Sequence, residues 1–221
     1  MILVAVLWLL PFSAGAVTQT ITEDADDDTY LPNSAGWFSS FPITELIGMG
    51  NESGNNYHAA LRFQGTDVAQ GATISSATLR LYIGSGTGGF VGSLYGNDTD
   101  NASAWSVSVT PDSITKTSAS TSVTVIPPIV DGQQLDFDVT DIVQEIVNRG
   151  GWTSGNALAI VSDSTGATTG GNAGFNSREG SFASTTDYSI APTLIIEIAS
   201  PPARVLRLKG GTRLMDGVRL R

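Results

Sequence analysis

The stretch Ala77-Thr78-Leu79-Arg80-Leu81-Tyr82-Ile83 alternates apolar and polar side chains without a break. A period of two marks a strand with one buried face, so Ala77, Leu79, Leu81 and Ile83 are expected to line a core. Thr78, Arg80 and Tyr82 then face outward. On either side, eight further stretches read as short strands: Val17 to Glu23, Glu45 to Met49, Ala59 to Phe63, Phe90 to Tyr95, Ser122 to Ile126, Leu135 to Val139, Ala157 to Ser162 and Thr193 to Ile198. Clusters of Gly, Ser, Thr and Asn separate them, at the spacing of sandwiches and jelly rolls. With 25 Gly, 9 Pro and only 14% charged residues in 221, the composition excludes a helical bundle. The predicted fold class is all-β, an antiparallel β-sandwich or jelly roll with one short helix. That helix is predicted to start at Asp138 as N-cap, to bury Val139, Ile142, Val143 and Ile146, and to stop at Gly150-Gly151. Asp138 and Asp141, in its first turn, complement the helix dipole and need no catalytic explanation.

The residue inventory argues against ordinary enzymes. There is no cysteine, which removes disulfides, thiolate metal sites and thiol nucleophiles. A single histidine, His58, argues against a Ser-His-Asp relay, which needs its imidazole placed among specific partners, and against a multi-histidine metal centre. It lies beside a predicted strand and reads as a packing or hydrogen-bonding residue, so alanine there is expected to change binding little. The protein is therefore expected to be non-enzymatic.

Charge divides the chain. Residues 1–200 carry five basic side chains (Arg62, Arg80, Lys116, Arg149, Arg178) against twenty acidic ones, a balance of −15. Residues 201–221 hold Arg204, Arg207, Lys209, Arg213, Arg219 and Arg221 against Asp216 alone, a balance of +5. An acidic body cannot neutralise phosphates, so nucleic acid is not an expected partner.

Three segments follow from these patterns. Residues 1–16 contain an apolar run, Ile2 to Phe12, followed by Ala14-Gly15-Ala16; they read as an apolar N-terminal arm or, alternatively, as a signal peptide. Eleven residues fall short of the roughly 20 that span a bilayer, so no membrane span is expected. Residues 17–199 hold the sandwich. Residues 200–221 form a basic tail in which Arg207-Leu208, Arg213-Leu214 and Arg219-Leu220 recur every six residues, with Gly211 and Gly217 in step.

Within the sandwich, LRFQGTDVAQGATISSATLRLYI (Leu61 to Ile83), LDFDVTDIVQEIVNRGGWTSGNALAIVSD (Leu135 to Asp163) and APTLIIEI (Ala191 to Ile198) resemble the blocks of DNRLRE-type β-sandwich domains, which are related to a carbohydrate-binding module family. The resemblance implies the scaffold, an extracellular or surface setting and, in some members, glycan binding; it implies no catalytic residue. The tail is similar to segments of tailed-phage structural proteins.

Three groups of residues are candidates for contact with other molecules. Trp37, Phe38 and Phe41 offer aromatic faces for stacking on sugar rings, or else plug the end of the sandwich. Asp24, Asp26, Asp27 and Asp28, in the acidic run from Glu23, supply oxygen ligands for a structural calcium, the one cofactor considered, or else form a solvated turn. Arg207, Leu208, Arg213, Leu214, Arg219 and Leu220 form an assembly surface that adds as strands to a neighbour. The leading expectation is a virion structural protein of phage type, a capsid decoration or tail and fibre component on the virion surface, docked to copies of itself or to a capsid or tail protein. The alternative is a secreted bacterial carbohydrate-binding or adhesion module that contacts a cell-surface glycan.

Overall fold

The computed structural model describes residues 15–20, 26–31, 36–37, 46–52, 54–86, 88–165, 171–178, 188–200, 205–207 and 213–215. In chain order these form β1 (Gly15–Thr20), β2 (Asp27–Leu31), β3 (Gly36–Trp37), β4 (Leu46–Glu52), β5 (Asn55–Phe63), β6 (Ile74–Gly86), β7 (Phe90–Asn97), β8 (Lys116–Val125) and β9 (Gln134–Asp138). A single α-helix, α1 (Thr140–Val147), follows, and then β10 (Leu158–Asp163), β11 (Gly171–Asn176), β12 (Thr193–Ile198), β13 (Val205–Arg207) and β14 (Arg213–Met215). The architecture is all-β with one short helix, as expected, and all nine predicted strands are present.

The pairing is antiparallel throughout and runs β1-β12-β6-β11-β4-β5-β10-β7-β8, with β9 added to β6 and β2 to β5. β6 is the hinge of this path. Its first part pairs with β12 and β9, and its end pairs with β11, which hands the sheet on to the opposite layer. The alternation that located β6 is kept: Ala77, Leu79, Leu81 and Ile83 are at most 1% exposed, whereas Thr78, Arg80 and Tyr82 are half-exposed. The core they face includes Leu194 and Ile196 of β12, Phe175 of β11, and Phe90 and Leu94 of β7. Ile142, Val143, Ile146 and Val147 bring the buried stripe of α1 into the same core, where the helix packs against β6, β7 and β8. Gly96 permits that approach, since a Cβ there would lie 2.7 Å from Ile146 Cδ1.

Two local expectations are corrected. The N-cap of α1 is Val139, with Asp138 one residue earlier as the last residue of β9. β9 stays paired to β6 through Asp138, opposite Thr78, so the chain turns one residue later than the capping pattern suggested. The Asp138 carboxylate still accepts hydrogen bonds from the Thr140 hydroxyl (2.6 Å) and N–H (2.9 Å), and these bonds lower its pKa. The acidic run is not a turn in its second half, because Asp27 and Asp28 begin β2 and pair with Leu61 and Ala60 of β5. β3 and β11 are also strands that no period-two pattern marked. Among the described residues no helix is long and apolar enough to cross a membrane.

Candidate functional site

β7, β8 and β10 lie side by side, with Ser93 opposite both Ser122 and Asp163, and Tyr95 opposite both Ser120 and Val161. Because Phe90, Leu94, Val123, Val125 and Ile160 fill the core side, strand alternation sends Val91, Ser93, Tyr95, Ser122, Thr124 and Asp163 to the other face. The connection from β7 to β8 covers one end of that face. Its Ala102, Trp105, Val109 and Ile114 pack with Ala60, Ala157, Ala159, Val161 and Tyr95 in a second, smaller core. What stays open is a shallow depression of about 340 Å³ between Tyr95, Ser93, Ser122, Thr124, Asp163 and Thr165.

Its polar groups are fixed in place. Lys116 Nζ donates to Asp163 Oδ2 at 2.6 Å and lies 5.3 Å from the centroid of the Tyr95 ring. The Thr165 N–H donates to Asp163 Oδ1 at 2.8 Å. Burial acts to raise the pKa of Asp163, but the bonds from Lys116 and Thr165 outweigh it and hold the carboxyl at about 2. Next to this carboxylate sits His58, 1% exposed, with Nε2 3.5 Å from Asp163 Oδ1 and Nδ1 3.6 Å from Asp112 Oδ1. Neither ring nitrogen has a partner within ordinary hydrogen-bond length among the described residues. Burial lowers the imidazole pKa below its ordinary value; the Asp163 and Asp112 charges pull it up, and Lys116 pushes it down. The histidine is thus packed, as its sequence context suggested, but between two carboxylates.

An aromatic ring, an ionised carboxylate, an ammonium group and several hydroxyls, all on one open face, suit a polyol. A tyrosine ring can stack on the C–H face of a pyranose, and a carboxylate can accept hydrogen bonds from its hydroxyls. A larger groove of about 430 Å³ separates the edges of β8 and β9. Its apolar wall is the core itself (Val123, Val125, Leu135, Phe137), and its Asp136 is held bidentately by Arg80 at 2.9 Å. Asp138 and Gln133 line it as well, and among the described residues no lysine does.

The residues singled out from sequence are distributed elsewhere. Trp37 contributes its backbone to β3, opposite Tyr30; its side chain, Phe38 and Phe41 lie outside the described residues. Asp24 also lies outside them, as do the side chains of Asp27 and Asp28. Asp26 is buried, and its carboxylate accepts from Arg62 Nη1 and Gln64 Nε2, each at 2.6 Å. Among the described residues no three Asp, Glu or His side chains converge where a metal ion would sit. In the tail, Arg207 pairs with Arg213 and Leu206 with Leu214 as β13 and β14 form a two-stranded antiparallel sheet; Leu208, Arg219 and Leu220 lie outside the described residues. Tyr95, Lys116, Asp163 and Asp112 were not singled out by sequence reasoning. The one available signal was Lys116, among only five cations in the first 200 residues.

The family model of carbohydrate-binding module family 96 matches residues 19–188, a span that includes every residue of the depression. The chain belongs to that family. The match leaves the basic tail outside the family 96 module and ends within the sandwich, just before β12. No curated protein matches the chain.

Proposed function

We propose that this family 96 module binds glycans without turning them over, at the face of β7, β8 and β10, in an extracellular or cell-surface setting. The observation that carries the reading is the juxtaposition of Tyr95, the Lys116–Asp163 pair and the hydroxyls of Ser93, Ser122, Thr124 and Thr165 within the family-matched span. It favours the glycan-binding alternative raised by the sequence over the virion component. Retardation in native gels containing a β-glucan, a xylan or a mannan tests it. Alanine at Tyr95 should weaken the retarded complex about tenfold, which corresponds to about 1.4 kcal/mol. Equal retardation of wild type and variant, with loss on substitution of Phe137 instead, would move the site to the β8/β9 groove.

The tail supports a second role, attachment. Its charge of +5 against a body of −15 favours contact with acidic neighbours, whether copies of this chain or a shell protein. Of its period-six Arg-Leu pairs, Arg207 lies in β13 and Arg213-Leu214 in β14. Truncation after Ser200 should leave the melting temperature and glycan retardation unchanged while lowering salt-sensitive self-association in sedimentation. A truncated protein that associates as strongly as the full chain removes the tail from assembly.

A further inference from the structure

His58 is the only histidine in the chain, and the fold places it, almost fully buried, against the carboxylate of the proposed glycan face. A buried imidazole normally satisfies both ring nitrogens, one as donor and one as acceptor. Here neither has a partner within ordinary hydrogen-bond length among the described residues. Opposite each nitrogen stands a carboxylate oxygen, at 3.5 Å and 3.6 Å, just beyond hydrogen-bond length. An imidazolium carries two N–H donors, so a proton gained at this position would meet an acceptor on each side after a shift of a few tenths of an ångström.

The charged and titratable groups around the ring come from four elements. Asp163 faces it from β10, Asp112 from the β7–β8 connection and Lys116 from β8, while Tyr30 stands opposite it on β2. Lys116 holds Oδ2 of Asp163 and the Thr165 N–H takes one lone pair of Oδ1, so the second lone pair of Oδ1 is the one for which the imidazole and an incoming ligand compete.

We propose that His58 is the acid sensor of the glycan face: on protonation, Nε2–H donates to Asp163 Oδ1 and Nδ1–H donates to Asp112 Oδ1, which withdraws Asp163 Oδ1 from glycan hydroxyls and releases the ligand. The inference rests on the glycan reading given above. His58 acts as a positioning residue, through Asp163. Burial sets the working range, since it moves the titration to the acid side of an ordinary histidine, near pH 6.5. The linkage has a definite sign. The folded imidazole binds its proton less readily than the unfolded one. Its contribution to stability is therefore complete above about pH 6.5 and declines as pH falls through the folded pKa.

Because there is one imidazole, its titration can be read from a single pair of ring signals by NMR on the full chain. The expected midpoint lies below that of a free histidine. Retardation by β-glucan, xylan or mannan should weaken through the same midpoint. If bound glycan lowers that midpoint by about one pH unit, affinity must fall about tenfold across the titration. His58→Phe should retain glycan at every pH from neutral to mildly acidic. Asp112→Asn, which removes one of the two negative charges facing the imidazolium, should lower the midpoint and serves if the Phe variant does not fold. Retardation that is present but flat with pH, or that keeps its pH dependence in His58→Phe, overturns the sensor and leaves the glycan reading standing. If none of the polysaccharides is retained at neutral pH, the glycan reading fails, and the ligand-free arm decides the sensor. There the carboxyl carbon signals of Asp163 and Asp112 must follow the ring midpoint in the wild type and not in His58→Phe; signals that ignore it overturn the proposal.

Discussion

Alanine at Leu79 will lower the free energy of unfolding by about 2–5 kcal/mol, the range of large-to-small changes at fully buried positions. Leu79 is 0% exposed and sits mid-sheet, opposite Leu194 of β12 on one side and Phe137 of β9 on the other. Both neighbours are held by strand pairing and cannot collapse into the vacated volume without breaking register, which puts the cost toward the upper part of the range. Thr78→Ala, one residue away on the half-exposed face, should stay within about 0.5 kcal/mol. Urea unfolding of both variants gives the comparison. Similar midpoints would mean that the two faces of β6 had been exchanged.

The same strand shows why so much of the fold was legible. Where one face is buried and the other wet, side-chain chemistry must alternate, and all nine strands read from sequence carry that constraint or a compact apolar run. β11, Gly-Asn-Ala-Gly-Phe-Asn, does not. It lies between β4 and β6 with five of its six residues buried. Here the close approach of backbones sets the composition, more than hydrophobic patterning does. Gly50 of β4 has φ +126°, and a Cβ on it would lie 2.5 Å from the carbonyl oxygen of Gly171. Glycine needed for contact looks, in sequence, like glycine needed for a turn.

The candidate site was hidden for a different reason. His58, Tyr95, Asp112, Lys116 and Asp163 come from β5, β7, a connection, β8 and β10, and each is an unremarkable polar residue within its own segment. Only the register that sets Asp163 opposite Ser93, and Tyr95 opposite Val161, brings them to one face. Aromatic clusters such as Trp37-Phe38 draw attention because they are adjacent in sequence, whereas sheets assemble sites from residues far apart in it.

Arg62→Met will destabilise the protein by about 3–5 kcal/mol, the cost of leaving one member of a buried ion pair without its partner. Arg62 Nη1 binds Asp26 at 2.6 Å, with side chains 14% and 3% exposed, and its Nε donates to the carbonyl of Ala102 at 2.9 Å. The arginine, on β5, thus joins Asp26, just before β2, to the connection that covers the second core. Among the described residues, its loss would leave the Asp26 carboxylate with Gln64 as its one side-chain partner. The pair is not the same thing as a net gain in stability, because well-packed apolar residues often replace such pairs at little cost. Asp26→Leu added to Arg62→Met should therefore recover much of the deficit, a non-additivity that a double-mutant cycle measures. Calcium provides the opposing outcome. If Asp26 were a ligand for it, added calcium would restore Arg62→Met by occupying the freed carboxylate. With Gln64 donating to one carboxylate oxygen and the Arg62 N–H holding the Asp26 main-chain carbonyl in place, melting curves of the variant with and without calcium should superimpose.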